Sequence, residues 1–236
     1  MRVARDGATL ASGEQGKRAM SRPTLTISSK NYSSWSLRGW LMVKLAGLDF
    51  DEVAVDPEDP SVRAELLLLS PSIRVPCLTY DGFKIWDTLA IGEFLNEIAP
   101  QAELLPKDRL ARARCRSICG EIHSGFTSLR SALPMNLKGD FPKFKIWSKA
   151  QGDIARVKEI WRECLETSGG PYLFGNFGMA DAMYAPVATR FRTYHVPLDA
   201  TCEAYCDSIY AWPAMQEWVE RALLETESFE ELDAEF

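Results

Sequence analysis

The sequence predicts an α/β domain at residues 23–98 followed by an all-α helical-bundle domain at 108–224. Two observations predict this division. Short β-prone segments occur only in the first part of the chain, where they alternate with helical patterns. After residue 107 the apolar positions recur at helical spacing, and the helical segments are separated by Gly- and Pro-containing breaks. A chain of 236 residues is long enough to form two such domains.

The first domain begins with a predicted strand, helix and second strand. Residues 24–28 are β-prone, and residues 35–46 carry leucines on one helical face before Gly47 ends the helix. Residues 49–55 form the second β-prone segment, and residues 61–69 form a short helix or an irregular stretch. These elements make a β-α-β unit.

A tight hairpin and a helix complete this domain. Residues 77–80 and 83–86 are short apolar runs suited to strands, and Asp81-Gly82 between them is a strong signal for a two-residue turn. A helix begins near Asp87, because the apolar positions that follow fit one buried face. The order β-α-β and then β-β-α is the thioredoxin-like arrangement.

The remaining chain divides into a leader, a linker, helices and a tail. Residues 1–22 are polar and small, which predicts a disordered leader, and residues 225–236 form an acidic tail. Residues 99–107, with Pro100 and Pro106, form the linker. The helical domain has five predicted helices, at 107–131, 144–168, 179–194, 200–209 and 212–224.

Composition excludes several function classes. A net charge of −6 argues against nucleic acid as a partner, and no apolar run reaches the length of about 20 residues that spans a membrane. Two histidines and no Cys-x-x-Cys motif predict no metal site. The six cysteines are spaced for packing in helices rather than for disulfides, which predicts a cytoplasmic protein with reduced thiols.

The start of the second predicted helix has the properties of a ligand site. The first turn of a helix has unpaired N–H groups and partial positive charge, so it binds carboxylates. Thr88 adds a hydroxyl there, and Asp87 adds a negative charge for an ammonium group. A ligand with a free amino-acid end satisfies both residues. The alternative is that Asp87 and Thr88 only cap the helix.

Val75-Pro76 precedes the hairpin and indicates a second contact to ligand. X-Pro bonds are where cis peptides occur, and a cis bond here turns the backbone N–H and C=O of Val75 outward. Those groups then pair with an extended peptide. The alternative is a plain turn before a strand.

These motifs, in this order and spacing, resemble the second half of a glutathione transferase N-terminal domain. The resemblance covers residues 24–224 and implies the glutathione transferase architecture, with glutathione as co-substrate. In that superfamily the Val-Pro bond is cis, the Val backbone pairs with the cysteine of glutathione, and an acidic residue or Gln followed by Ser holds the γ-glutamyl end. The implied glutathione-binding residues are Tyr32, Arg74, Val75, Pro76, Asp87 and Thr88.

The catalytic residues implied by the resemblance are Asn31, Ser33 and Ser34. The stretch from Ser34 to Arg38 resembles the zeta-class signature, and a gapless match places the thiolate-stabilising Ser of that class at Asn31. Ser33 is the competing candidate. Both serines also suit the cap position of the helix that follows, a role that needs no catalysis.

The second-substrate pocket implied by the family falls on or just after the first long helix. Spacings of three and four put His123, Phe126 and Arg130 on one face. Met135 and Asn136 follow, and an ordinary exposed or interface face is the alternative. Further along, Gly178 and Asp181 resemble the superfamily's helix-capping box, whose role is in folding. Arg190 and Arg192 follow this box. In a zeta-like enzyme a basic residue near here would hold an acidic substrate, and the alternative is a surface charge.

We therefore predict a zeta-like, dimeric glutathione transferase whose thiolate attacks a small electrophile, by conjugation or by cis–trans isomerisation. Two alternatives stay open. One is a glutathione-dependent thiol-disulfide reductase, although residues 31–34 contain no cysteine. The other is a non-catalytic module for binding or scaffolding. The sequence does not identify the electrophile.

Overall fold

A computed structural model of the protein describes residues 21–55 and 75–226. Several predictions from sequence lie outside those residues: the leader up to residue 20, the segment 61–69, Arg74 and the tail from residue 227. Within the described residues, a four-stranded mixed sheet with two helices precedes a domain of six helices. The predicted two-part architecture is confirmed.

The sheet has the strand order β2-β1-β3-β4. Strand β1 pairs with β2 in parallel and with β3 antiparallel, and β3 pairs antiparallel with β4 through the predicted Asp81-Gly82 turn. Both turn residues have positive φ, 48° and 83°, as a tight two-residue turn between antiparallel strands requires. The strands are β1 (Thr24–Ile27), β2 (Asp51–Ala54), β3 (Cys77–Tyr80) and β4 (Phe83–Trp86).

Two helices, α1 (Ser34–Leu45) and α2 (Thr88–Ile98), complete the first domain. Leu37 and Leu41 of α1 belong to the same core as the apolar sheet residues Leu25 and Leu78. Gly39 sets how closely α1 approaches the sheet, because a Cβ there would lie 2.6 Å from the ring of Pro76. The start of α1 is therefore held beside the turn that precedes β3.

The second domain is a helical bundle, joined to the first through the 3₁₀ turn Pro100–Ala102. Its central helix, α6, is buried along almost its whole length. The helices are α3 (Arg109–Ser124), α4 (Thr127–Ala132), α5 (Ser148–Ser168), α6 (Met179–Thr193), α7 (Ala200–Ala211) and α8 (Pro213–Leu223).

The long helix predicted at 107–131 is wrong as a single element. It ends at Ser124, and α4 starts at Thr127 after a break at Gly125 and Phe126. Phe126 has φ 56°, in the left-handed region, and its ring is buried in the core. Burial of this ring accompanies the break, and helical periodicity alone does not reveal it. The helix predicted at 144–168 likewise begins only at Ser148.

The C-terminal part of the chain holds the loop that precedes α1. The indole Nε1–H of Trp218 donates to the backbone oxygen of Lys30 at 3.0 Å. Glu225, the first residue of the predicted acidic tail, accepts from the Ser29 hydroxyl at 2.7 Å and from the N–H groups of Lys30 and Asn31 at 2.6 and 3.0 Å. Glu225 is thus anchored to the first domain.

None of the helices in the described ranges is long and apolar enough to cross a membrane. All six cysteines lie in those ranges and are free, as their spacing predicts. Across the same ranges, no group of three His, Cys, Asp or Glu side chains is placed to hold a metal ion.

Asp181 fixes the start of α6 as the predicted capping box requires. Its carboxylate accepts from the N–H of Gly178 at 2.9 Å, from the N–H of Leu173 at 3.0 Å and from the Tyr205 hydroxyl at 3.0 Å. Burial raises its pKa to about 6 despite these three donors. The cap is therefore a buried polar network at the centre of the second domain.

We predict that Asp181→Ala lowers the free energy of unfolding by about 3 kcal/mol at pH 8, because three buried donors lose their acceptor. Asp108 caps the exposed start of α3 through two backbone N–H groups, so Asp108→Ala is the matched control, with an expected loss of about 1 kcal/mol. Urea unfolding of both variants measures the difference. Equal losses would contradict a core role for Asp181.

Candidate active site

The predicted ligand-binding residues meet at the cleft between the two domains. The first domain contributes the Val75-Pro76 turn, the start of α1 and the start of α2. The second domain contributes α3 and α4, through His123 and Arg130, whose side chains both contact the indole of Trp35. The cleft therefore has polar groups from both domains around one aromatic ring.

Val75-Pro76 is a cis peptide, as predicted. Val75 is 4% exposed and lies two residues before β3, where Pro76 packs against Gly39 of α1. The turn thus lies between the hairpin and the start of α1.

Asp87 and Thr88 form the predicted polar pair at the start of α2. Asp87 has φ 74° and ψ 131°, an unusual conformation for a residue with a side chain, which fits a functional position. Its Oδ1 accepts from the N–H of Leu89 at 2.8 Å and more weakly from that of Ala90. Thr88 is fully buried, whereas 41% of the Asp87 side chain is exposed. Asp87 therefore caps the helix with one oxygen and leaves the other for another partner.

That other oxygen contacts His123. The Nε2 atom of His123 lies 3.0 Å from Asp87 Oδ2, and its Nδ1 lies 3.4 Å from Thr88 Oγ1. Burial lowers the pKa of His123, opposed by the charge of Asp87 and reinforced by Arg38 and Arg130. The sequence placed His123 in the second-substrate pocket, whereas its ring contacts the pair expected to hold glutathione.

Asn31 joins the two domains. It is fully buried, its Nδ2 donates to Asn136 Oδ1 at 3.1 Å, and its Oδ1 accepts from the N–H of Lys138 at 3.0 Å. Asn136 Oδ1 also accepts from the N–H groups of Lys138 and Gly139. Asn136 is therefore bound to the loop before α1. Asn136 is 3% exposed and Met135 is 2% exposed.

The two serines at the start of α1 differ in their partners. Ser33 is the N-cap, and its Oγ accepts from the N–H of Ser36 at 3.3 Å. Ser34 Oγ lies 3.5 Å from a guanidinium nitrogen of Arg190 in α6. Ser34 is 5% exposed, against 1% for Ser33 and none for Asn31, and Tyr32 is 4% exposed. Of the three predicted catalytic residues, Ser34 is therefore the most accessible.

Three guanidinium groups lie around the start of α1. Arg38 and Arg130 lie 4.6 and 4.8 Å from the centre of the Trp35 ring, and Arg190 reaches Ser34. None of the three pairs with a carboxylate among residues 21–55 and 75–226. Arg190 also donates from Nε to the backbone oxygen of Leu133 at 2.7 Å and from a terminal nitrogen to that of Pro186 at 2.9 Å, so neutral acceptors satisfy its N–H groups while its charge keeps no counter-ion. Like charges packed together repel, and a bound anion would relieve that repulsion.

The pKa values of these arginines reflect the same crowding. Burial lowers the pKa of Arg190 to about 9, with a further contribution from Arg130. Burial also lowers the pKa of Arg38, and Arg130 and Arg190 lower it further. Arg38 Nε donates to the backbone oxygen of Met183 at 2.9 Å, while one of its terminal nitrogens is buried and has no hydrogen-bond partner among the described residues.

From the sequence, no site role is assigned to the side chains of Trp35 and Arg38, and Arg190 and Arg192 are the two candidates for a basic residue that would hold an acidic substrate. Arg192 is exposed and pairs with Asp207. Phe126, predicted on the same face as His123 and Arg130, is in the core because the helix breaks there. The sequence did contain one signal for this part of the site, which is an arginine, Arg38, at a buried position of a helix.

Comparison with known proteins now supplies the family. Residues 32–98 match the family model of the glutathione S-transferase N-terminal domain, and residues 122–221 match that of the C-terminal domain. The chain belongs to the glutathione S-transferase family. Glutathione is therefore its co-substrate, and transfer or isomerisation through the glutathione thiol is its class of reaction.

Similar curated proteins point to the zeta-like group. A probable maleylacetoacetate isomerase 2 from Drosophila melanogaster is 30% identical over 75% of this chain and 78% of its own length. The maleylacetoacetate isomerase of Rattus norvegicus is 29% identical over 75% and 82%. The predicted resemblance to that group is confirmed.

Solved structures share the fold. A glutathione transferase homolog from Burkholderia, with bound glutathione, has a TM-score of 0.64 and 24% identity, and the match covers 85% of this chain and 97% of that one. A maleylacetoacetate isomerase from Anaeromyxobacter dehalogenans, with glutathione in its active site, has a TM-score of 0.60 and 24% identity, over 83% and 94% of the two chains.

Proposed function

We propose that this glutathione transferase acts on a small electrophile that carries a carboxylate. The observation that carries the proposal is the set of three guanidinium groups around the start of α1, which lack a carboxylate partner in the described parts of the chain. A carboxylate bound among them compensates charges that the protein leaves unpaired. The reactive sulfur of glutathione then lies beside the bound electrophile.

Glutathione binds along the edge of the first domain in this proposal. Its γ-glutamyl ammonium pairs with Asp87, and the adjacent carboxylate takes the Thr88 hydroxyl and the N–H at the start of α2. Its cysteine lies along the backbone at Val75-Pro76, with Tyr32 nearby. Arg74, also predicted to bind glutathione, lies outside the described residues.

Ser34 is the thiolate donor in this proposal. Its Oγ is placed to accept from Arg190, a charged donor, and this leaves the hydroxyl hydrogen free for a sulfur atom. The N-terminus of α1 adds partial positive charge. Asn31 has a structural role in this proposal, because its side-chain nitrogen and its side-chain oxygen both form hydrogen bonds with the second domain. Ser33 serves as the cap of α1.

The chemistry follows from these placements. The thiolate adds to one carbon of a conjugated double bond, and the electron pair of that bond moves to the neighbouring carbonyl. The former double bond is now a single carbon–carbon bond, and rotation can occur about it. Expulsion of the thiolate then restores the double bond in the other geometry and regenerates glutathione. Relatives bear the name maleylacetoacetate isomerase, which fits this class of substrate. An electrophile whose adduct is stable is conjugated instead, which fits a role in detoxification.

The proposal includes a cytoplasmic homodimer. Free cysteines throughout the described ranges support the location. The edge strand β4 exposes Phe83 at 75% and Trp86 at 59%, and Leu110 at the start of α3 is 79% exposed. Large apolar side chains exposed on an edge strand favour burial against another chain, and we assign a second copy of this chain to them.

The thiolate prediction is tested by the absorbance of bound glutathione against pH. Ser34→Ala should raise the pKa of the bound thiol by about one unit, equivalent to about 1.36 kcal/mol. Ser33→Ala should change it less and mainly destabilise α1. If only Asn31→Ala raises this pKa, then Asn31 is the donor and the gapless zeta-class match is right.

The anion site is tested by Arg130→Gln with two electrophiles. The kcat/KM for a carboxylate-bearing alkene should fall about tenfold or more, because a charged hydrogen bond is lost, while that for a neutral aryl halide should stay within about twofold. Arg192→Gln, at an exposed arginine paired with Asp207, is the matched control. An equal loss with both electrophiles would reject a carboxylate at Arg130.

The homodimer is tested by light scattering at micromolar protein. Wild type should give about twice the chain mass of 26.5 kDa. Phe83→Glu should shift the protein toward monomer, because it places a charge in the interface. Val53→Glu is the control, since Val53 is exposed on β2 at the opposite edge of the sheet. A wild-type monomer would refute the dimer.

A further inference from the structure

We propose that His123 is a positioning residue for glutathione: it holds Asp87 and Thr88 from the second domain, and it must be neutral for Asp87 to bind the ammonium group. The proposal deepens the proposed function and rests on the assignment of Asp87 and Thr88 to the γ-glutamyl end. Because His123 lies in α3, the proposal assigns this helix of the second domain a role in glutathione binding.

The geometry gives each ring nitrogen its own partner. Nε2 is 3.0 Å from Asp87 Oδ2, and Nδ1 is 3.4 Å from Thr88 Oγ1. A neutral imidazole with its proton on Nε2 satisfies both contacts, donating to the carboxylate and accepting from the hydroxyl. The contact to Thr88 is long, so Thr88 can turn its hydroxyl to a ligand carboxylate at low cost while the contact to Asp87 persists.

The ring is held in place by its surroundings. It meets the indole of Trp35 edge to face, with ring centres 5.1 Å apart and an angle of 72°. Only 24% of the His123 side chain is exposed. Asp87 is itself fixed by the cap bond from Leu89. With one oxygen bonded to α2 and the other to α3, the carboxylate has one orientation toward the cleft.

Protonation of His123 changes the net charge that a ligand meets at Asp87. The charged groups that act on the ring are Asp87 before α2, Arg38 in α1 and Arg130 in α4. A protonated ring neutralises Asp87, so an incoming ammonium meets a carboxylate that already has a cation beside it. The two arginines add to the repulsion. Affinity for glutathione should therefore fall as the pH falls through the pKa of His123.

The pH range follows from the sign of the pKa shift. Burial lowers the pKa of His123 below its usual value near 6.5, so the neutral, binding-competent form predominates at pH 7.5. Bound ammonium lowers the pKa further, because it adds positive charge near the ring. Weakening should begin below about pH 6.5 and grow toward pH 5.5.

The experiment is calorimetry of S-methylglutathione, whose blocked thiol does not titrate, at pH 5.5, 6.5 and 7.5. Wild type should bind about threefold more weakly at pH 5.5 than at 7.5. His123→Gln keeps an N–H donor and should bind nearly as wild type at pH 7.5, with no loss at pH 5.5. His123→Phe keeps the contact with Trp35 but lacks a donor, so it should bind about tenfold more weakly at pH 7.5.

His195→Gln is the matched control, because His195 is the second of the two histidines and lies on the surface beside Asp140. It should keep the full wild-type pH dependence. Asp181, with a pKa of about 6, titrates in every variant, so the difference between wild type and His123→Gln isolates His123.

Two outcomes overturn the proposal. One is a wild-type affinity that does not change with pH, and the other is an unchanged pH dependence in His123→Gln. Asp87→Ala separates this failure from a failure of the proposed function. If Asp87→Ala binds S-methylglutathione as tightly as wild type, the glutathione site itself is wrongly assigned. If Asp87→Ala binds weakly while His123→Gln still shows the wild-type pH dependence of affinity, only the proposed role of His123 is wrong.

Discussion

The position of α1 is the constraint on which the rest of the site depends. Gly39 lets the helix lie against Pro76, and Arg38 on the same helix donates to the backbone of α6. These two contacts fix α1 between the sheet and the helical domain. Its N-terminus, with Ser33 and Ser34, is consequently buried against the second domain, where Arg190 contacts Ser34. A shift of the helix would move the cis-proline turn and the serines relative to each other.

The C-terminal part of the chain forms polar contacts with several segments of the first domain. Asn136 bonds Asn31, Glu225 binds the loop from Ser29 to Asn31, and His123 contacts Asp87. Each contact joins a polar segment of the first domain to the C-terminal part of the chain. In the function that we propose, both domains therefore contribute to the glutathione site.

Charge is distributed unevenly across this molecule. The chain carries a net charge of −6, yet the cleft contains three arginines that no described carboxylate neutralises. Elsewhere arginines pair with acidic residues, as Arg156 does with Glu121 and Glu159. Burying guanidinium groups without a carboxylate partner is costly, and this cost is the ground for the anionic ligand that we propose.

The sequence by itself determined most of the elements and the polar pair at the start of α2. The Asp81-Gly82 turn and the helix start at Asp87 are local features, set by the conformations that a few neighbouring residues allow. The cis bond at Val75-Pro76 is expected from the family resemblance, because the residues alone also allow a plain turn. The two-domain division followed from periodicity. The family resemblance added glutathione, which the comparisons support.

Only the tertiary structure decided which residues meet. Asn31 and Asn136 are 105 positions apart, and Ser34 and Arg190 are 156 apart, so no spacing rule connects them. The helix break at Phe126 depends on a buried ring, which overrides helical periodicity and separates His123 and Arg130 onto two helices. Both still reach Trp35, because packing brings α3 and α4 to the start of α1. Long-range packing, which local sequence does not encode, therefore made the site.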